Sequence, residues 1–504
     1  MGLMSGGSSV DDGRMHGYGF TGQVSERRDP LRSAGVAVFV ALLSIAAGAV
    51  FVAAGSPRSW FPSRWDARVA PIAAEVARLR GLDFVHPVPV RYLPPAEFEQ
   101  LLGDDNNLTA TERERVTRDE AVFRALGFIG GKVDLLRAYE IHESSGTLAY
   151  YDPDRQEIIV RGTALDVAHR VTVAHELTHV LQDQHFDLRA LQKRAAASET
   201  GDASALKALV EGDAVRIQDD YLAQLSTAEQ KEYHRENDAE GVRVGKETAS
   251  VPDIVDLLSG APYEFGPSTV RVLLSAGGNS AVDDALTGPT PSTGVFVEAG
   301  DITPPVAVEQ PLLPADGVPA GPAESFGPFE TFVTLAMRLD PGRALAAADV
   351  IAGGRAVTFR SRGAICYRVV VQPAFQHSRP FLLRAVQDWA RARPSTAVDA
   401  VGDRVGFTTC DPGHGAPEPS SPRFHNAVAL LSVRAGLTVA AAKGHVEGAI
   451  ARCLARVFIE TPGAQELVFA VGNGTPSSEQ SARLRAVAAA SGAACRADPD
   501  SGLP

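Results

Sequence analysis

Two long segments in the middle of the chain have the hydrophobic periodicity of α-helices, residues 163–192 and residues 202–235. In the first segment, apolar and small residues recur along one face at Val167, Val171, Ala174, Thr178 and Leu181. Further apolar residues extend this surface round a second side, which predicts a mostly buried helix. Thr163 and Asp166 have the spacing of a capping box, which predicts that the helix begins there.

The second helix carries its own apolar stripe. Its members are Leu206, Val210, Ala214, Ile217 and Tyr221. Ahead of the first helix, residues 146–162 contain two strand-like runs joined at Asp152-Pro153-Asp154. Because proline and aspartate favour a turn between strands, this pattern predicts a β-hairpin immediately before the first helix.

The remainder of the chain has a mixed pattern. Residues 252–287 predict helical pieces broken at glycine and proline, and residues 288–325 are dense in proline, glycine and threonine. The latter composition predicts a linker or a long surface loop. Further along, helical stretches alternate with strand-like runs at 365–372, 403–410 and 425–443.

These patterns predict an α+β protein of two parts. Residues 56–287 are expected to form a mostly helical domain with a small antiparallel sheet, and residues 326–504 a smaller α+β region. A length of 504 residues is too great for one ordinary core, which agrees with this division.

The most apolar stretch is residues 34–55, which contains no charged residue. It is long enough to cross the roughly 30 Å hydrocarbon layer as a helix, and arginines flank it on both sides. We interpret it as an uncleaved transmembrane helix; a cleavable signal peptide is the alternative. Residues 1–33 have few large apolar side chains and are predicted to be a disordered cytoplasmic tail.

Charge and cysteine usage narrow the class of protein. The net charge is −13, and no stripe of basic residues is present, so nucleic acid is not an expected partner. The four cysteines lie in the last third of the chain, at Cys366, Cys410, Cys453 and Cys495. An even number without a CxxC pair predicts two disulfides in an oxidising compartment, with three possible connectivities; free buried thiols are the alternative.

The first long helix carries the sequence HELTH, with His175, Glu176 and His179. Residues four apart on a helix differ by about 40° round the axis, so the two imidazoles can converge on one ion. Glu176 is turned by about 100° from His175 and can reach the outer side of that ion. This is the HExxH arrangement, in which two histidines bind zinc and the glutamate acts as general base.

Two residues compete to be the third zinc ligand. His185 has the spacing of the HExxHxxGxxH motif, but Gln182 stands where that motif has the glycine of a sharp turn. In an unbroken helix His185 would lie about 15 Å along the axis from His175. Glu211 lies in an apolar setting on the second helix, where a carboxylate is costly unless it is paired or binds a metal. We favour Glu211; its alternative is an ion pair with Lys207.

HExxH followed by a glutamate on the next helix resembles the gluzincins, the thermolysin-like clan of zinc metallopeptidases. The match covers residues 150–235 and includes Thr178 before the second histidine and Asp183 four residues after it. The resemblance implies a zincin-like catalytic domain with His175, His179 and Glu211 as zinc ligands and Glu176 as general base. It also implies an edge strand that pairs with extended substrate, a role that residues 156–161 could fill.

The chain departs from the family at Val215, where an aspartate often bonds to a ligand histidine. Asp183, Asp213 or Asp219 could orient a histidine instead. The residue that stabilises the oxyanion is not fixed by the motif, and the candidates are Tyr221, His234 and Tyr263.

The sequence therefore predicts a membrane-anchored zinc peptidase whose bulk is extracytoplasmic and whose substrate is a peptide or protein. The alternative from another class is a membrane-anchored binding or scaffold protein that keeps a zinc-stabilised fold without catalysis.

Overall fold

The computed structural model describes residues 61–498 apart from 106–108, 199–201, 392, 394, 420, 466 and 468–476. The described chain is α+β, as predicted, with many helices and two small sheets. The helices of the first part are α1 (Ala70–Arg80), α2 (Pro95–Asp105), α3 (Ala110–Leu126), α4 (Leu135–Ser144), α5 (Val167–Phe186), α6 (Leu188–Ala196), α7 (Ala203–Gln224), α8 (Thr227–Glu247) and α9 (Asp253–Thr287).

A three-stranded sheet lies ahead of α5. Its strands are β1 (Val90–Leu93), β2 (Ala149–Asp152) and β3 (Glu157–Arg161), in the order β1-β3-β2. The predicted hairpin is present, because β2 and β3 pair antiparallel. β1 adds to β3 in parallel, and the chain between these two strands contains the helical crossover that a parallel pair requires.

The first predicted helix is two helices, and both ends differ from the prediction. Asp166, not Thr163, caps α5, because its side chain accepts a hydrogen bond from the backbone N–H of His169. At the other end Asp187 adopts a left-handed conformation with φ 54°, which ends α5. Its carboxylate accepts from the backbone N–H of Ala190 and so begins α6. An aspartate thus supplies the break for which the sequence has no glycine or proline.

Close packing of α7 on α9 fixes the position of α7. A Cβ atom on Gly266 would lie 2.2 Å from the carbonyl oxygen of Ala208, and one on Gly212 would lie 2.4 Å from the backbone of Gly266. Glycine is therefore required at both positions for this approach of the two backbones. Because Gly212 follows Glu211 directly, the contact also sets the direction in which Glu211 projects.

The second part of the chain holds a five-stranded antiparallel sheet. Its strands are β4 (Val318–Ser325), β5 (Ile351–Ser361), β6 (Ala364–Pro373), β7 (Ala397–Val401) and β8 (Arg404–Cys410), in the order β4-β5-β6-β8-β7. The helices are α10 (Gly294–Val297), α11 (Pro328–Ala336), α12 (Pro341–Asp349), α13 (Arg379–Ala390), α14 (Ser421–Lys443), α15 (Gly448–Glu460) and α16 (Ser478–Ala497).

The prediction of a strand at 425–443 is wrong, because this segment belongs to α14. Buried residues recur on it at helical intervals, at Phe424, Ala427, Val428, Leu431, Ala435 and Thr438. Arg434 of α14 is also buried and lies 2.6 Å from Asp349 and 2.9 Å from Glu298. The helix is thus packed on both apolar and charged partners.

The predicted linker at 288–325 contains α10, whose residues Val295, Phe296 and Val297 are buried, and the edge strand β4. The main hydrophobic core includes these three residues and draws on segments of the chain between Val122 and Ala464. The division of the chain into domains stays a prediction.

Both predicted disulfides are present. Cys366 of β6 is bonded to Cys410 of β8, and Cys453 of α15 is bonded to Cys495 of α16. Each bond therefore joins two neighbouring elements of the second part of the chain.

Among the described residues, one helical stretch is long and apolar enough to cross a membrane, Phe424–Lys443 of α14. About 44% of its most apolar segment is buried inside the protein, and the ion pair of the buried Arg434 lies in this stretch. Both features are typical of a core helix. The predicted transmembrane helix at 34–55 and the predicted tail at 1–33 lie outside the described residues.

Candidate metal centre

Three side chains from α5 and α7 converge at the centre of the first part of the chain. The Nε2 atoms of His175 and His179 are 3.0 Å apart, and Oε2 of Glu211 lies 3.3 Å from each of them. His175 and Glu211 are fully buried, and His179 is 3% exposed. This group could hold a metal ion.

The spacing of the three atoms fits a small tetrahedral ion. Tetrahedral bonds of about 2.0–2.1 Å to nitrogen and oxygen place neighbouring ligand atoms about 3.3–3.4 Å apart. The observed separations of 3.0, 3.3 and 3.3 Å are close to that value. Both carboxylate oxygens of Glu211 are buried, and apart from the contacts of Oε2 with the two imidazoles they have no hydrogen-bond partner among the described residues. A cation bound between the imidazoles would satisfy this carboxylate.

Helix geometry explains why these residues meet. His175 and His179 are four residues apart on α5, so both rings leave the same face. α7 packs against this face and presents Glu211, whose direction is set by the neighbouring glycine contact with α9. His185, the alternative ligand, is exposed near the end of α5, and its Nε2 atom lies 2.8 Å from the backbone oxygen of Asp83. The arrangement brings Glu211, and not His185, to the two histidines.

The orientation of His179 is fixed by Gln182. The Nδ1 atom of His179 lies 2.9 Å from Oε1 of Gln182. The amide nitrogen of Gln182 donates to the backbone oxygen of Val210 and to Asp213, at 2.9 and 3.1 Å. Since both acceptors require the amide N–H groups, Oε1 must point at His179 and accept from its Nδ1–H. The Nε2 lone pair of His179 is thereby left for a metal.

Asp213 supports the side chain of Gln182. Its carboxylate accepts hydrogen bonds from Arg80 at 2.7 Å and from Arg216 at 2.6 Å, and it is fully buried. Burial alone would raise the pKa of Asp213, but the two guanidinium groups hold that pKa below its usual value. The predicted candidate Asp213 thus lies behind Gln182 and bonds to neither ligand histidine.

Gln218 lies beside the other histidine. It follows Glu211 by seven residues on α7 and is 3% exposed. Its interaction with His175 favours the protonated ring, although burial dominates and lowers the pKa of His175 to about 4. Nδ1 of His175 and Oε1 of Gln218 are both buried without a well-aligned hydrogen bond to any described residue.

Glu176 is held by the sheet. Its Oε2 atom accepts a hydrogen bond of 2.8 Å from the backbone N–H of Tyr151 on β2. Its Oε1 atom is buried and has no hydrogen-bond partner among the described residues. Burial raises the pKa of Glu176 to about 8, which is suitable for a group that takes up and releases a proton near neutral pH.

The metal-free site carries its own charge pair. Burial opposes the charged form of His179, but the negative charge of Glu211 outweighs this and raises the pKa of His179 to about 9. Burial likewise opposes ionisation of Glu211, but the charge of His179 keeps the pKa of Glu211 well below its ordinary range. A proton on His179 therefore occupies the position that a metal cation would take.

The remaining aspartate candidates, Asp183 and Asp219, bond to residues other than the ligand histidines. Asp183 accepts a hydrogen bond from the Tyr151 hydroxyl at 2.8 Å and from the backbone N–H of Leu188 at 3.1 Å. It therefore supports β2 and the turn after α5, and it bonds to neither ligand histidine. Asp219 lies 2.9 Å from Arg271 and takes no part in the site.

The three oxyanion candidates are in different surroundings. Tyr221 packs in the core that covers α5, and His234 is exposed on α8. The ring of Tyr263 on α9 lies nearly parallel to that of His175, with centroids 6.5 Å apart. Of the three, Tyr263 is the one that the structure places against a ligand histidine.

The sequence-based prediction of a substrate-pairing edge strand at 156–161 is wrong. β3 is the central strand and is paired on both sides, so its backbone is not available to a substrate. β2 is the edge strand beside Glu176.

Gln182 and Tyr151 were not predicted as site residues. Gln182 could have been found from its position, three residues after His179 on a helix predicted to be buried.

No protein-family model matches the chain, and comparisons with curated proteins and with solved structures find no significant match.

The Gln182→Leu variant should bind zinc about 10–100-fold more weakly than the wild type, because His179 loses the acceptor that fixes its tautomer. The affinity is measured by competition with a chelating dye. Gln184→Leu is the matched control, since Gln184 bonds to Val85 and His86 at the surface of the same helix. Equal zinc affinities for the two variants would contradict the role of Gln182.

The metal-free protein should lose stability as pH rises from about 6.5 to 9. His179 has a folded-state pKa of about 9, above its ordinary value of 6.5, so its contribution is complete below pH 6.5 and disappears through pH 9. Glu176, with its pKa raised to about 8, acts in the same direction because its ionisation opposes folding. Thermal unfolding with and without zinc should show a zinc-dependent gain in melting temperature that grows over this range. A gain that shrinks with rising pH would contradict this assignment.

Proposed function

We propose that the protein is a membrane-anchored, extracytoplasmic zinc peptidase of the gluzincin type, with Glu176 as general base. One observation carries the proposal: three ligand atoms meet at tetrahedral spacing beside a glutamate with a buried carboxylate oxygen that has no partner among the described residues. Three protein ligands leave one coordination position for a reactant, which is the pattern of catalytic zinc sites.

The donor set favours zinc over magnesium and calcium. Two imidazoles and one carboxylate suit zinc, whereas magnesium and calcium prefer oxygen ligands alone. The described cysteines are in disulfides, so thiolates do not compete for the ion. His175, His179 and Glu211 would hold the zinc.

Bound zinc would supply Lewis-acid chemistry by polarising a peptide carbonyl and increasing the acidity of a water molecule. Glu176 would take a proton from that water through Oε1, while the backbone N–H of Tyr151 holds its Oε2. The same carboxyl group would then protonate the leaving amine. Tyr263 is the residue best placed to assist the carbonyl oxygen, because its ring lies beside His175.

The edge strand β2 is proposed to align the substrate. It pairs with β3 on one side only, and Tyr151 on its other side contacts Glu176. An extended peptide added to an edge strand gains main-chain hydrogen bonds without regard to its sequence. β2 therefore takes the role that the sequence suggested for β3.

The anchored and extracytoplasmic location rests on two features. Two disulfides are typical of proteins in oxidising compartments. The uncharged run at 34–55 has the length and flanking arginines of a transmembrane helix.

A second function is favoured by the burial of the site. His175, Glu176 and Glu211 are all 0% exposed, which is typical of a structural metal site in a non-catalytic binding or scaffold protein. Structural zinc sites usually have four protein ligands, however, and here the group has three. The peptidase is therefore the better-supported proposal.

Glu176→Gln should retain one zinc per chain and lose peptide hydrolysis by a factor of at least about 100, because the general base is removed while the ligands remain. Zinc content and cleavage of a fluorogenic peptide pool are measured on the full-length protein. Glu211→Ala should lose the zinc, and the control His185→Ala should keep both zinc and activity.

Two results would overturn the proposal. Hydrolysis by Glu176→Gln at the wild-type rate would exclude Glu176 as base. Stoichiometric zinc in a wild-type protein that hydrolyses no peptide would select the scaffold function instead.

A further inference from the structure

A cavity of about 700 Å³ lies beside the turn of α7 that precedes Glu211. Its walls come from both parts of the chain, since α3, α7, β4 and α11 all contribute. Lys207 and Val210 line it, and they precede Glu211 by four residues and one residue. Four residues correspond to about 6 Å along a helix, so the cavity begins close to the candidate metal centre.

Apolar side chains form much of the wall. They include Phe123, Phe128, Leu258, Phe326 and Val333. A volume of several hundred cubic ångströms with apolar walls and a few polar groups is typical of a site for a small organic group. These walls suit an aliphatic or aromatic portion of a ligand.

Three carboxylates in the same wall are held by neutral donors. Glu324 accepts from the Tyr367 hydroxyl at 2.8 Å, and Glu330 accepts from the Thr293 hydroxyl at 2.7 Å and the Gly327 backbone N–H at 2.8 Å. Asp202 accepts from the backbone N–H of Ser204 at 2.7 Å. Burial and the nearby charge of Asp202 raise the pKa of Glu330 to about 7.

The described cations of the wall are fewer than its described carboxylates. Arg115 lies 3.8 Å from Asp119, a fourth carboxylate that also lines the cavity. Lys207 lies over the ring of Tyr263, at 5.4 Å from the centroid. With Arg355, the described residues of the lining include three cations and four carboxylates.

Thr334 is a second, independent observation that points to a ligand. It lines the cavity on α11, one turn after Glu330, and it is 2% exposed. Its Oγ1 atom has no hydrogen-bond partner in the described part of the chain. A buried hydroxyl without a partner is costly, and a donor group entering the cavity would satisfy it.

We propose that this cavity binds the side chain of a lysine or arginine residue of a peptide, with its stem against the apolar wall and its cation at Glu324, Glu330 and Thr334. Interpreting that peptide as substrate rests on the proposed peptidase function; the binding site itself does not. The inference names basic peptides as the substrate class of the neighbouring metal centre. A divalent cation fits less well, because it prefers a shell of oxygen atoms over apolar walls.

The test compares two blocked peptides, acetyl-Ala-Lys-Ala-amide and its counterpart with norleucine in place of lysine. Norleucine keeps the aliphatic stem and lacks the ammonium group. Binding is measured by titration calorimetry on the full-length Glu176→Gln protein in detergent, with and without zinc. The lysine peptide should bind about tenfold more tightly, as expected for a charge-assisted hydrogen bond.

Adding Glu324→Gln should reduce this preference to within about threefold, because the amide still accepts from Tyr367 but carries no charge. Adding Glu309→Gln removes a charge from an exposed residue elsewhere and should leave the preference unchanged. Melting temperatures establish that the variants are folded.

Equal binding of the two peptides, or a lysine preference that survives Glu324→Gln, would overturn the assignment. Displacement of the lysine peptide by millimolar magnesium or calcium would overturn it too, since the cavity would then be a metal site. Lysine-selective binding by a protein that hydrolyses no peptide would refute the peptidase alone. Hydrolysis without any preference for basic residues would refute the cavity assignment alone.

Discussion

A carboxylate with no access to water needs a positive charge beside it, because an unpaired buried charge loses its hydration without compensation. Glu211 is in this position between His175 and His179. A proton on His179 can neutralise it in the metal-free protein, and a metal cation can do so at the same place. Whether this positive charge is a proton or a metal ion determines both the chemistry and the pH dependence of the site.

The surrounding structure keeps the three ligands in place. The chain of hydrogen bonds from His179 through Gln182 to Asp213 ends on Arg80 and Arg216, so a buried anion is again matched by buried cations. The contact of α7 with α9 at two glycines and the bond from β2 to Glu176 complete the frame. Rigid support of this kind is what a preorganised metal centre requires.

Much of this site could be predicted from the sequence, because it depends on local spacing. His175 and His179 follow from helical periodicity, and Glu211 follows from the cost of a carboxylate in an apolar stripe. The contacts that fix the orientation of Gln182 could not be predicted, because its partners Val210 and Asp213 are distant from it in sequence. The strand prediction at 425–443 failed because apolar and small residues are so dense in this run that its helical period is obscured, and the helix is selected by tertiary packing. β2 is at the edge of the sheet because β1 occupies the other side of β3. This could not be predicted, since β1 pairs with a strand more than sixty residues further along the chain.

We propose that zinc binds to two imidazoles and one carboxylate in the first part of the chain. X-ray absorption at the zinc edge of the purified full-length protein tests it most directly. The account predicts nitrogen and oxygen neighbours at about 2.0–2.1 Å, with the outer-ring scattering of two histidines. A sulfur neighbour at about 2.3 Å, or the scattering of three histidines, would contradict it.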